Sequence, residues 1–363
     1  MIKVSDGEIG SREFFAILYV MMAIRVTDST PNLLHESGLT ASWMIPLISG
    51  VALIGPVLLL FRLVKKYETG LIEITFELTG PFFGRLIAFL IFLSVFSSLS
   101  LNSRNYADIV ITMYYPESSV LWILAVLILG AALYIAHRGL EAIGRTALLV
   151  VPLFIVTSVC LVFSTTNEMN YLFLFPIAGS GVTEVAKGGI GYSSLYADVI
   201  IAGVLASQVR TFNAYRKASV WGLWVSIGKM AIFLAVYVMV FDFHAVRNIA
   251  FPYHHLTRMS MVGTIANRME AVYLAFWYAG AALHFAAYLY ISAFLLGKVI
   301  GYKPFKQLLF PVAGTAVVLG MVPENYLEGG PLRMALLYSS SGMFLLLPVV
   351  LWGLDRMRKR EKK

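Results

Sequence analysis

Charge is what this chain has least of. Of 363 residues, 28 are Lys or Arg and 20 are Asp or Glu, so charged side chains make up only 13%. Ordinary soluble domains carry about 25%, and a soluble surface of this size could not be covered with so few. Cysteine is scarcer still. The single Cys160 stands in an apolar run, which excludes a disulfide framework, a cysteine-bound zinc site and a redox pair. P-loop, HExxH and GxSxG patterns are missing, as are paired loop carboxylates, so the sequence gives no support to a membrane transferase or hydrolase. The opening MIKVSDGEIGSREFF lacks a basic n-region and a small-residue cleavage site, and it does not read as a signal peptide.

Apolar residues are abundant: 59% of the chain is hydrophobic, which also excludes disorder. A helix needs roughly 20 residues to cross about 30 Å of hydrocarbon. Ten runs qualify: 14–37, 41–63, 84–112, 119–136, 143–164, 183–209, 218–241, 269–297, 305–322 and 332–353. Turn-rich or charged stretches such as 65–70, 114–119 and 323–331 separate them. The expectation is an all-α integral membrane protein of ten transmembrane helices. A net charge of +8 would suggest a nucleic-acid partner in a soluble protein, but here it reflects basic cytoplasmic loops. With the N-terminus inside, twenty basic residues fall inside. Five fall outside (Lys187, Arg247, Arg258, Arg268, Arg333) and three within spans (Arg25, Arg104, Lys229). That asymmetry predicts cytoplasmic termini at both ends.

At 1.5 Å per residue, Arg25 and Lys229 each lie about 16 Å into their spans, Asp198 about 18 Å and His284 about 20 Å. Asp28 follows Arg25 by almost one turn. Such residues are costly if they face lipid, so they should face one another or a wet cavity. In span 1, Asp28-Ser29-Thr30-Pro31 reads as a break, with Thr30 as N-cap and Pro31 as the first residue of a new helix. The freed amides near Ser29–Asn32 would favour a ligand carboxylate. In span 6, Gly188, Gly189, Gly191, Ser193 and Ser194 permit either unwinding or close helix contact. Interruptions in spans 1 and 6 suit a five-plus-five inverted repeat, with halves 14–164 and 183–353. The expected midplane site comprises Arg25, Thr27, Asp28, Ser29, Thr30, Ser193, Ser194, Tyr196, Asp198 and His284, with Lys229 and Asp198 as charge or proton relay.

Four stretches then become recognisable. Leu101–Asp108 with Tyr115-Pro116-Glu117 resembles RxFxExI…LPxTP, and Gly139-Leu140-Glu141-Ala142-Ile143-Gly144-Arg145 resembles GLExIxR. Asn267-Arg268-Met269-Glu270-Ala271 with Trp277 is similar to ERxEAxFxxxW, and Lys187-Gly188 through Tyr196-Ala197-Asp198 to KG…FGE. These are signatures of the spore germination B-subunit permeases, and the resemblance covers essentially the whole chain. It implies a LeuT-like fold of the amino acid/polyamine/organocation superfamily. It also implies a germinant-binding subunit in the spore inner membrane, acting beside an A subunit and a lipoprotein C subunit. The ligand would usually be an amino acid, and no cofactor or metal is implied. An H⁺- or Na⁺-coupled amino acid permease is the alternative. The chain departs from the family in having Asp108 and Asp198 where Glu is common, and in the polar Arg25–Thr30 segment.

Three further groups carry expectations. Arg104 and Asp108, an i,i+4 pair, read as a snorkelling pair at the outer face. Glu141 and Arg145 read as a loop brace or partner contact. His254 and His255, in the outer loop 242–268, read as solvated.

Overall fold

The computed structural model describes residues 8–260 and 269–361. Lys3, Asn267, Arg268, Lys362 and Lys363, which enter the charge count or a motif above, lie outside the described residues. Helix α1 (Ser11–Ala23) runs into a 3₁₀ turn (Ile24–Thr27) and stops at Asp28, and α2 (Thr30–Gly38) resumes beyond it. Then come α3 (Met44–Tyr67), α4 (Leu71–Met113), α5 (Val120–His137) and α6 (Leu140–Ser164). The sixth run divides into α7 (Val182–Gly191), a 3₁₀ turn (Ser193–Tyr196) and α8 (Asp198–Gln208). Next follow α9 (Phe212–Phe241), a short α10 (Pro252–Met259), α11 (Met269–Ile300), α12 (Phe305–Gly320) and α13 (Tyr326–Glu361). Every sequence-predicted run is helical. Seven helices among the described residues are long and apolar enough to cross a membrane as they stand. The first and sixth runs are interrupted and the ninth is short.

The breaks have local causes. Asp28 is extended (φ −97°, ψ −163°), which ends the 3₁₀ turn, and Pro31 stands in the first turn of α2, where its missing N–H costs no helical bond. Thr30 is the first helical residue rather than the N-cap. The longer reach of a carboxylate decides this: Asp28 Oδ1 accepts the Thr30 amide at 2.6 Å. In α4, Gly80 takes φ +79° ahead of Pro81, and the helix kinks there before entering the third run. In the sixth run both readings of the glycine-serine stretch hold. A Cβ at Gly189 would lie 2.4 Å from Ile48, and one at Gly191 2.4 Å from Tyr338, so these glycines permit close packing. The unwinding comes just after them, where Ser194 N–H donates to Ser341 Oγ and Ser194 Oγ donates to the Leu337 carbonyl.

Helix α1 is central: Phe14 and every residue from Ala16 to Val26 are buried. It packs chiefly on α9, then on α6 and α11. Helix α11 is the other central element, with 83% of its most apolar stretch buried against 28% for α6. Outward-facing Phe82, Trp122, Leu149, Phe163 and Phe310 are each more than two-thirds exposed. A patch of that extent suits lipid rather than water.

The outer loop differs from its expectation. Helix α10 is packed into the protein over the α1 break, and His254 within it is buried. The reason is a set of specific contacts. His254 Nδ1 meets the Tyr114 hydroxyl at 2.8 Å, and its ring stands edge-on to Trp277 with 4.9 Å between centroids. Arg258 pairs with Glu270 at 2.9 Å. Loop 176–181 closes over α2 similarly: Ser180 Oγ donates to the Ser37 carbonyl at 2.6 Å, and Thr40 donates to the Pro176 carbonyl.

Both closures can be tested. Gly179 has φ +54°, and a Cβ there would sit 2.1 Å from the Gly38 carbonyl oxygen. Gly179→Ala should therefore destabilise the protein by about 1–3 kcal/mol, read as a lowered Tm in detergent. Burial lowers the His254 pKa from 6.5 to about 3. The neutral ring is favoured in the docked state, so docking is fully stable above pH 6.5 and weakens as pH falls from there toward 3. Hydrogen exchange across 252–259 should rise between pH 7 and 5.5, and His254→Gln should remove that dependence.

Candidate functional site

The extended turn at Asp28 and the unwound segment 192–197 bring non-helical backbone together in the protein interior. Arg25, on the 3₁₀ turn after α1, spans the gap. Its guanidinium donates to the carbonyls of Ser194 and Leu195, contacts the Tyr288 hydroxyl, and lies 2.8 Å from Asp198 Oδ2. Tyr288, on α11, in turn donates to Asp198 Oδ1 at 2.5 Å. Asp198 is completely buried at the first residue of α8, where a negative charge complements the helix dipole. The guanidinium thus takes up the Leu195 carbonyl, while the Ser194 carbonyl also accepts the Ala197 amide at 3.1 Å.

A second ion pair holds the other side. Arg333, on α13, reaches Asp28 Oδ2 at 3.2 Å and Thr30 Oγ1 at 3.1 Å, and donates to the Ser29 hydroxyl. Asn105, on α4, also binds this turn. Its Nδ2 donates to Ser29 Oγ at 3.0 Å and its Oδ1 accepts the Ser29 amide at 3.3 Å. The amides expected to await a ligand carboxylate are therefore engaged at Ser29 and Thr30, by Asn105 and Asp28. Two side-chain acceptors lie within reach, and a buried amide is costly to leave unpaired.

Between the two ion pairs lies a cavity of about 30 Å³, room for about one water. Arg25, Tyr288 and Arg333 line it, with Thr30 and Ser194. Ser94, Ser98 and Asn102 present a polar stripe from α4, and Ser340 faces them from α13. Ser94 and Ser340 join through their hydroxyls at 2.7 Å. These hydroxyl, amide and guanidinium groups can donate or accept hydrogen bonds, and Leu195, Ile201, Leu336, Leu337 and Phe344 supply the apolar remainder of the lining.

The sequence-predicted residues divide between this cavity and its surroundings. Arg25, Thr30 and Ser194 line the cavity, and Asp28, Ser29 and Asp198 hold its two arginines. Thr27 stands behind it, donating to the Ile24 carbonyl at 2.6 Å and accepting from Trp277 Nε1 at 2.8 Å. Ser193 and Tyr196 are buried away from the cavity. His284 does not line it either. Its ring lies parallel to Tyr106 and 4.7 Å from Tyr288.

Lys229 shares the depth but not the place. Its ammonium lies 3.6 Å from the centre of the Phe154 ring, with Tyr19 and Phe233 completing an aromatic cage between α1, α6 and α9. Arg104 and Asp108 form their i,i+4 pair at 2.9 Å, but both are buried rather than snorkelling. Arg104 is drawn inward because it also donates to the Glu324 carbonyl. Glu141 and Arg145 pair at the start of α6, with Arg145 well exposed.

Sequence reasoning misses Arg333, Ser94, Ser98, Asn102, Tyr288 and Ser340. Ser94, Ser98 and Asn102 are spaced i, i+4, i+8, a legible single face of one helix. Arg333 falls among the outer loops by sequence, and its position there gives no sign that it folds back onto Asp28. No group of three or more potential metal-ligating side chains occurs among the described residues.

Known structures share this architecture. The chain is similar in structure to a Na⁺-coupled sialic acid symporter in a substrate-bound, outward-open state. The TM-score is 0.59 at 12% identity, over 94% of this chain and 79% of that one. It is also similar to MhsT in complex with L-phenylalanine, with a TM-score of 0.67 at 14% identity, over 96% and 89%. These likenesses establish the LeuT-like fold. No curated protein matches the chain in sequence. A family model described as spore germination protein matches residues 11–328, the stretch that holds both broken helices and the α4 polar stripe, and the chain belongs to that family of spore germination permeases.

Proposed function

We propose that this chain is the nutrient-binding subunit of an endospore germinant receptor, and that its ligand is an amino acid or similar small zwitterion. The observation that carries this reading is the pair of ion pairs flanking one small polar cavity: Arg25 with Asp198 and Arg333 with Asp28. A zwitterion can replace one partner of each. Its carboxylate takes the place of an aspartate at a guanidinium, and its ammonium takes the place of a guanidinium at an aspartate or at the Ser194 and Leu195 carbonyls. No buried charge is then left alone, which matters because an uncompensated one costs about 3–5 kcal/mol. One structural neighbour is a sialic acid symporter and the other is in complex with L-phenylalanine. Both compounds bear a carboxylate, and this supports the class.

The cavity has room for about one water, so an amino acid enters only if the walls part. In the receptor reading that parting is the signal. Occupancy shifts a conformational equilibrium, and an A subunit and a lipoprotein C subunit read it. The protein sits in the spore inner membrane with both termini on the core side. Residues 14–164 and 183–353 form the two inverted halves. Arg145, exposed at the start of α6 and paired with the half-buried Glu141, is available for a partner. No step in this scheme is enzymatic.

The second reading is a coupled amino acid permease, favoured by the Na⁺ coupling of the sialic acid symporter that shares the fold. Ion-driven accumulation of labelled amino acid in proteoliposomes would establish transport and sink the pure receptor. For the site, thermal-shift titration of the purified protein against amino acids, sugars and nucleosides should identify an amino acid. A response to sugars alone would overturn the class. With the responding ligand, Asp198→Asn and Arg333→Gln should each weaken binding about tenfold or more, the scale of one charged hydrogen bond. Asp108→Asn should change it far less, and equal effects would move the site toward the Arg104–Asp108 pair.

A further inference from the structure

A second cavity lies on the opposite side of α1 from the polar site. It is a groove of about 730 Å³ between α1, α6 and α9, opening at the end of the bundle where α1 and α9 both begin. The strand-like bridge between Ile9 and Val209 clamps those two helix starts together. Its walls are apolar, with Phe15, Val151, Ile155 and Val225 among them. Its mouth carries Ser11, Arg12 and Lys217, with Trp221 one turn deeper. Arg12 and Lys217 are exposed, and neither has an ion-pair partner among the described residues. From Lys217 to Val225 the groove runs about 12 Å along α9, most of one leaflet of a hydrocarbon core about 30 Å thick. A further cavity of about 370 Å³, sharing Ile155 and Val225, continues it past Tyr19 toward the Lys229 cage.

We infer that this groove binds one anionic phospholipid, with the phosphate between Arg12 and Lys217 and one acyl chain along the apolar walls. The charge pattern selects that occupant. Two unpaired cations stand at the interfacial end of an apolar slot, the first-turn amides of α1 lie beside them, and Trp221 sits at the depth where indoles anchor in membranes. A zwitterionic lipid fills the slot equally well but brings a cation to the same mouth. The nearest carboxylate on α1, Glu13, turns back toward Gly10 and Gly144 and leaves the mouth cationic. The lipid lies along the helix that leads into the 3₁₀ turn carrying Arg25, one side of the polar site.

Native mass spectrometry of the detergent-purified protein, titrated with phosphatidylglycerol and phosphatidylcholine of identical chains, tests this. The expected result is preferential retention of phosphatidylglycerol. Arg12→Ala/Lys217→Ala should reduce that preference on the order of tenfold. Arg62→Ala/Arg85→Ala, which removes two exposed basic residues elsewhere, should not. Ile155→Trp, which fills the groove, should lower retention of both lipids; Val156→Trp on the groove's exposed rim serves if that variant does not fold. Equal retention of the two lipids by the parent protein, a preference surviving in the Arg12/Lys217 variant, or retention indifferent to groove filling would each overturn the assignment.

Discussion

A guanidinium in the middle of a hydrocarbon slab has to find its partners inside the protein, and much else in this molecule is arranged around that requirement. Arg25 needs anions and carbonyls, and an intact helix offers neither at its flank. The sixth run supplies both by unwinding at 192–197, which exposes the Ser194 and Leu195 carbonyls and places Asp198 at the start of α8. Each break therefore explains the other. The Leu195 carbonyl turns to Arg25 where the helix unwinds, and the guanidinium would be stranded without the break.

The same logic runs through the second pair, with a different origin for the cation. Arg333 comes from the last long helix and closes on Asp28, which is already occupied as the cap of α2. One carboxylate thus ends one helix segment, starts another and neutralises an arginine from 305 residues away. Buried ion pairs contribute little net stability against an apolar alternative of similar shape. Their retention here is better understood through what they hold ready, a small cavity lined by two arginines that are each already paired.

Most of the helical frame was legible in the sequence because hydropathy responds to the bilayer, which acts on every span alike. The break at Asp28-Ser29-Thr30-Pro31 was legible because proline suits the first turn of a helix, where its missing N–H costs no bond, and so marks a new start. The site was only partly legible. Depth along a helix can be counted from the sequence, but azimuth around the bundle cannot. Lys229 and Arg25 stand at equal depth, yet one faces an aromatic cage and the other the cavity. Arg333 is the opposite case, since its loop-like position conceals a side chain that reaches inward. His254 escapes for a related reason: α10 is short and polar enough to read as loop, and only its docking on Tyr114 and Trp277 makes it interior.

Charge balance then constrains the kind of ligand that the proposed site can accept. A pure amine that displaced Arg25 from Asp198 would leave a guanidinium buried without a counterion. A pure acid that took Arg333 from Asp28 would leave a carboxylate in the same position. Either event costs about 3–5 kcal/mol, which is roughly two to four orders of magnitude in affinity. A zwitterion avoids both penalties because it brings one charge of each sign, and its net charge of zero leaves the total in the cavity unchanged. On the proposed reading, selectivity for amino acids over simple amines and acids would need no pocket shaped to an amino acid. It follows from two arginines already paired with two aspartates around a space too small to hold an unpaired charge and its water.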